Sequence, residues 1–236
     1  MKLAVIADIH GNAPALEAVL DAPVMSEADT VVCLGDIVGA LGSPGTCVSL
    51  VRQNADHVVH GNHDSRVFDN RKFLPKRDVD VFEYELIKER LSAANRTWLQ
   101  DRPVIDKIMN GTVLAHCQPT PDRATGVGGE PGAYPGSFEE ITDSVDDETK
   151  IVLLGHTHCQ HAEVVGSDDQ PLLVCNPGAV GLPVRVDGNG DAGLARYAVV
   201  ETDTMEWALR SVQYDATNVV EFLRANGSPL GIATEH

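Results

Sequence analysis

Hydrophobic residues in this chain gather into short runs, and each run stops at a residue able to hold a divalent metal. LAVIA (3–7) leads into Asp8 and His10, VVCLG (31–35) into Asp36, and VVHG (58–61) into Asn62, His63 and Asp64. TVLA (112–115) leads into His116, and IVLLG (151–155) into His156 and His158. Apolar runs of this length, rich in β-branched residues, predict buried strands. Between them the period lengthens. Asn12 predicts a helix cap with Pro14 near the helix start, and Leu16, Val19 and Leu20 share one face of a helix running to about Asp21. A loop rich in Gly and Pro (39–45) precedes a helix from about Thr46 to Asn54. With strands at 30–34 and 57–60 the order is βαβαβ, which predicts a parallel sheet with right-handed crossovers.

The second half reads differently. Helices are predicted at about Val81–Ser92 and Arg96–Gln100, and Asn110-Gly111 between 104–109 and 112–116 is a two-residue hairpin signal. Further antiparallel strands are expected at 161–165, 172–175, 194–201 and 204–213, with a last helix near Ala216–Ala225. The whole pattern predicts an α/β (α+β) fold: two packed mixed β-sheets flanked by helices, one domain spanning 1–236. Segment 117–137 is a Gly- and Pro-rich loop directly after His116, and loops of that length are uncommon unless functional. Segments 66–100 and 117–145 are therefore expected to act as lid elements over a site.

Composition narrows the function classes. Among 236 residues, 43% are apolar and 22% charged, ordinary for a globular protein, and the longest apolar stretches fall far short of a membrane span. The N-terminus enters a strand directly from Met1, so a cytoplasmic location with no membrane partner is expected. Net charge is −17, with 35 acidic against 18 basic residues and no Lys/Arg cluster, which argues against general nucleic-acid binding. The acidic surface reads as solubilising, with high-salt adaptation the sharper alternative, since acid runs such as 143–148 are dense. The five cysteines include no Cys-x-x-Cys pair and read as reduced thiols; Cys117 and Cys159 each follow a candidate ligand His but are expected on the opposite face of an extended segment. Self-association into a homo-oligomer is left open by the sequence.

The candidate chemistry follows from the donor types. Side chains at the carboxyl ends of neighbouring strands converge in one crevice of an open α/β sheet. Carboxylate and amide oxygens mixed with imidazole nitrogens suit Mn, Fe, Zn, Co or Ni better than Ca. In Asp8-Ile9-His10 the two-residue repeat of an extended segment puts both ligands on one side. Asp36 can give one oxygen to each of two cations, the arrangement suited to in-line phosphoryl displacement. Asn62 adds a neutral oxygen, and His116, His156 and His158 complete the set. His63, beside Asn62, is expected to face the substrate and either protonate the leaving oxygen or stabilise charge on the equatorial oxygens, with Asp64 orienting its ring or raising its pKa. His57, His60 and His161 read as structural or surface residues.

The ordered set DIH (8–10), GD (35–36), GNHD (61–64), His116 and GHTH (155–158) resembles the calcineurin-like metallophosphoesterase superfamily over nearly the whole chain, most closely its small phosphodiesterases of the YfcE type. NPGAVGLP (176–183) is similar to the segment those proteins carry after their last ligand strand. The resemblance implies a four-layer αββα sandwich and two divalent metal ions, Mn foremost. One would be held by Asp8, His10, Asp36 and His158, the other by Asp36, Asn62, His116 and His156. It further implies a phosphodiesterase in which a metal-bridging hydroxide attacks a small phosphate-ester substrate in line and His63 is the general acid. Alternatives on the same site are a phosphomonoesterase or nucleotidase, and a non-catalytic scaffold like the retromer subunit of this fold. Departures bear on specificity: HCQP (116–119) and Ala179 replace smaller or hydroxylated residues. GDIVG lacks the Asp-Arg, and GNHD the Glu, of protein phosphatases and symmetrical dinucleoside tetraphosphate hydrolases, which disfavours both activities. Arg66 and Arg123 are candidate substrate-phosphate ligands.

Overall fold

A computed structural model describes residues 1–67, 78–118, 141, 144–186, 192–228 and 232–234. The first sheet is built on β1 (Lys2–Ile6), β2 (Thr30–Cys33) and β3 (His57–Val58), which pair in parallel as the βαβαβ order predicts. The connections are α1 (Ala13–Leu20), a short α2 (Pro23–Glu27) and α3 (Pro44–Asn54). Asn12 caps α1 as its sequence suggests, its side chain accepting from the Ala15 amide.

On its other edge β1 pairs antiparallel with β10 (Ala192–Glu201), in register Lys2 to Glu201, joining the first strand to one far along the chain. β10 also carries β9 (Val184–Val186) and β11 (Glu206–Asp215), and β12 (Ile232–Thr234) pairs with β9. The second sheet orders β4 (Ile105–Ile108), β5 (Thr112–Ala115), β6 (Ile151–Leu153), β8 (Gln170–Pro177) and β7 (Gln160–Ser167), parallel through β5, β6 and β8 and antiparallel at its edges. The Asn110-Gly111 hairpin forms with a three-residue loop, because pairing closes at Ile108 and Thr112; Asn110 and Gly111 both take positive φ.

Alternation along each strand explains the layers. Leu3, Val5 and Ala7 of the first strand region meet Leu114, Ile151, Leu153 and Leu173 between the two sheets, while Ala4 and Ile6 face the helices. Against that outer face pack α1, α3, α5 (Asp78–Arg90), α6 (Ala93–Gln100) and α7 (Thr217–Ala225), the last three within a few residues of the predicted bounds. The outer face of the second sheet is buried beneath Ile141. Two mixed sheets with flanking helices is the expected α/β sandwich. The patterning did not reveal α2, α4 (Asn62–Ser65), β9 or β12, each five residues or fewer. Among the described residues no helix is long and apolar enough to cross a membrane. Of the expected lid segments, 68–77, 119–140 and 142–143 lie outside the described residues, and α5 and α6 of the first pack against the outer face of the first sheet.

Candidate metal centre

Parallel strands β1 to β3 of one sheet and β5 and β6 of the other end at the same crevice, so loops from both sheets deliver donors to it. Asp8, His10, Asp36 and His116 are buried; Asn62, His63, His156 and His158 are partly exposed, with the side chains of His63 and His158 at 15% and 26%. The structure brings all seven predicted ligands together. His158 Nε2 lies 3.4 Å from Asp8 Oδ1 and 3.0 Å from His10 Nε2. His116 Nε2 lies 3.3 Å from Asp36 Oδ2 and 3.2 Å from Asn62 Oδ1, and His156 Nδ1 is 3.1 Å from the same amide oxygen. Asp36 Oδ2 is also 3.7 Å from His10 Nε2, which places this carboxylate between the two halves.

The convergence is reached by a route other than the one alternation predicts. Asp8, His10, Asp36, His156 and His158 all have φ between 51° and 72°, so none of the five is extended. Left-handed backbone at non-glycine residues costs free energy and persists only where surrounding structure holds it, most often at functional sites. Here the loops hold one another. Asp8 and His10 amides donate to the Gly35 and Asp36 carbonyls at 3.0 and 2.9 Å, the Gly181 amide donates to the Asp8 carbonyl at 2.9 Å, and the His156 amide donates to the Asp8 carboxylate. The Asn-Pro-Gly segment braces the GHTH loop, with Asn176 Nδ2 donating to the Gly155 carbonyl and Thr157 hydroxyl at 2.7 and 3.1 Å. Gly35, at φ +92°, packs so closely on the next loop that a Cβ would lie 2.5 Å from the Gly61 nitrogen.

The donor chemistry fits cations. His116 Nδ1 contacts the Leu34 carbonyl at 2.8 Å, so that nitrogen carries a hydrogen and Nε2 is the one aimed at Asp36 and Asn62. Three atoms that each offer a lone pair then face one another, an arrangement that only a shared proton or a cation stabilises. His10 Nε2 and His158 Nε2 also face each other at 3.0 Å, and among the described residues His10 Nδ1 is buried without a hydrogen-bond partner. Burial alone would disfavour charged His116, yet the Asp36 and Asp8 carboxylates raise its pKa to about 10. Burial would likewise raise Asp36, but His116, His63 and His10 hold it well below the usual carboxylate range. His10 goes the other way, pushed far down by burial and by His63. Among the described residues three trios have ligand atoms within 4.8 Å of one another: Asp8, His10 and His158; Asp8, Asp36 and His116; and His10, Asp36 and His63.

His63 sits at the rim with Nε2 3.9 Å from Asp36 Oδ2 and its ring edge-on to His10. Asp64 does not orient it. In α4 its carboxylate turns inward, Oδ1 accepting from the Ile37 and Val38 amides and Oδ2 from the Gly61 amide, all at 3.0 Å, so the residue ties the loop after β2 to the loop after β3. Burial and the nearby Asp36 charge raise its pKa to about 7. The carboxylate that meets His63 is Glu83 of α5, Oε2 2.8 Å from Nδ1, and no short-range sequence signal marked it. Arg66 reaches Glu83 at 3.0 Å, and Arg123 lies outside the described residues. Cys117 is buried and Cys159 exposed, and neither joins the ligand trios among the described residues. His57 contacts Asp106, and His60 the Arg102 carbonyl, consistent with structural roles.

Residues 1–205 match the family model for the calcineurin-like phosphoesterase superfamily domain. An uncharacterized protein of Methanocaldococcus jannaschii is 28% identical over 247 aligned positions, covering 96% of this chain and 93% of that one. A metallophosphoesterase from Sphaerobacter thermophilus superposes with TM-score 0.71 at 26% identity, over 97% of this chain and 95% of that one. A Pyrococcus horikoshii protein superposes with TM-score 0.72 at 20% identity, over 97% and 94%.

Proposed function

Since this chain belongs to the calcineurin-like phosphoesterase superfamily, we propose that it is a phosphodiesterase working with two divalent cations, Mn foremost. Asp8, His10, Asp36 and His158 would hold one cation, and Asp36, Asn62, His116 and His156 the other. When bound, such cations neutralise phosphate oxygens and supply an attacking water oxygen of lowered pKa. The single observation that carries the reading is His116: pinned through Nδ1 to the Leu34 carbonyl, it aims Nε2 at two further acceptors.

The chain's own residues do the rest. Asp36 and Asp8 supply the negative charge that makes the pocket a cation site, while neutral Asn62 keeps it from repelling a phosphate anion. His63, partly exposed at the rim, donates its Nε2 proton to the leaving oxygen as the phosphorus–oxygen bond breaks. Burial opposes charge on His63, but Asp36 and Glu83 raise its pKa, which favours the proton-carrying form. A diester brings one negative charge, not two, to a protein of net charge −17, which supports diesters over monoesters.

The test loads the protein in turn with Mn, Fe, Zn, Co and Ni and assays phosphodiesters, phosphomonoesters and cyclic nucleotides. Diester hydrolysis with at least one cation is expected; hydrolysis of monoesters alone would replace the diester reading, and no turnover at all would overturn it. His63→Ala is expected to keep both metals and lose about 10²- to 10⁴-fold in turnover. His63 also lies within ligand reach of His10 and Asp36, so a metal-depleted His63→Ala would make it a ligand instead. Asp36→Ala should empty at least one position.

A further inference from the structure

Building on the reading of His63 as the residue that protonates the leaving oxygen, we propose that Glu83 is its positioning residue, with Arg66 locking Glu83 in place. The Glu83 side chain is 5% exposed, and an ionised carboxylate that deeply buried is stable only when paired. Its Oε2 takes two donors, His63 Nδ1 at 2.8 Å and Arg66 Nη1 at 3.0 Å. The 3.3 Å between Arg66 Nη1 and His63 Nδ1 follows from sharing that one acceptor. An ionised carboxylate only accepts, so Nδ1 must carry a hydrogen and the opposite ring nitrogen is the one presented to the crevice.

The three residues come from different places: His63 lies in α4, Arg66 at its end, and Glu83 on α5. Arg66 Nη1, 3.0 Å from Oε2, holds the Glu83 carboxylate against His63 Nδ1, and this contact decides which ring nitrogen gives up its proton. As the phosphorus–oxygen bond breaks, its electron pair stays on the leaving oxygen, which takes the Nε2 proton of His63. His63 is left neutral, its hydrogen kept on Nδ1 and donated to Glu83, and water returns the proton to Nε2. Without the Glu83 contact the ring can rotate about its χ angles and Nε2 loses its aim. A salt bridge that merely tied α5 to α4 would have none of these consequences for the proton.

The experiment uses the full chain loaded with metal and two phosphodiesters differing only in leaving group, one 4-nitrophenoxide, which departs without a proton, and one alkoxide, which needs one. Glu83→Gln is expected to lose about 10- to 100-fold in kcat on the alkoxide ester. On the nitrophenyl ester it should lose less than about threefold, with KM and metal content unchanged. In a His63→Ala background the same substitution should change neither rate by more than about twofold. Independently of turnover, the His63 Nδ1 proton should give a slowly exchanging imidazole resonance by NMR that disappears in Glu83→Ala. Equal losses on both esters, a full further loss on top of His63→Ala, or a resonance indifferent to Glu83 would each overturn the proposal. Should the resonance answer to Glu83 while His63→Ala spares the alkoxide ester, the acid role of His63 falls and the catalytic role of Glu83 falls with it, leaving only the hydrogen bond.

Discussion

Gly61→Ala separates local backbone preference from the packing of the site. Gly61 has φ −96° and ψ −174°, an extended conformation that alanine adopts freely. Glycine to alanine at a compatible position ordinarily stabilises by about 0.4–1 kcal/mol, through the unfolded chain. Here the added Cβ would fall 2.1 Å from Asp36 Oδ1 and 2.6 Å from the Asp36 nitrogen. Opening 2.1 Å to the 3.4 Å of an ordinary contact takes a shift of about 1.3 Å. Asp36 cannot yield cheaply, because Oδ1 accepts the His63 amide at 2.9 Å and Oδ2 sits 3.3 Å from His116. Overpacking of this kind costs about 1–3 kcal/mol of stability, or a fall of a few degrees in Tm. An ångström of misplacement costs about 10²-fold in turnover, equivalent to about 2.7 kcal/mol of barrier. Elemental analysis, thermal denaturation and kcat on a diester would be read together. Turnover and metal content within twofold of the unsubstituted protein would show that Asp36 is not pinned against Gly61.

Asp64→Ala strands the Ile37, Val38 and Gly61 amides, and at about 1–3 kcal/mol for each buried unpaired donor it should cost roughly 3 kcal/mol or more of stability. A Tm left unchanged while turnover collapses would restore Asp64 to a direct role beside His63. Asn12→Ala removes the α1 cap and the buried bonds from Asn12 Nδ2 to the Gly181 carbonyl and Tyr214 hydroxyl, so a loss of about 2–4 kcal/mol is expected from the denaturant midpoint; a loss below 1 kcal/mol would contradict it. Saturating cation, at about a hundred times its Kd, stabilises by about 2.7 kcal/mol per site, so chelation should lower Tm by roughly 5–10 °C for each site emptied, and added Mn should restore both Tm and turnover. A Tm indifferent to chelator would count against the centre.

Much of this protein could be read along the chain. The inner strands were legible because a short run that is apolar at every position suits a strand covered on both faces, and donors placed just past those runs had to meet wherever the strand ends met. Short elements stayed hidden: β9 and β12 are three residues each, too few for a period to show. The pairing of β1 with β10 joins Lys2 to Glu201, and nothing local to either strand selects that neighbour.

By itself the sequence determined which atoms are present to hold cations, and that the strand ends would gather them. How they are aimed was decided only in three dimensions. Asp8, His10, Asp36, His156 and His158 adopt a backbone conformation disfavoured for residues with a Cβ, held by hydrogen bonds from loops distant in the chain. The same holds for the partner of His63. Adjacency pointed to Asp64, but three backbone amides claim that carboxylate, and the packing of α5 delivers Glu83 instead, because a side chain's contacts follow from where its element docks and not from its place in the chain.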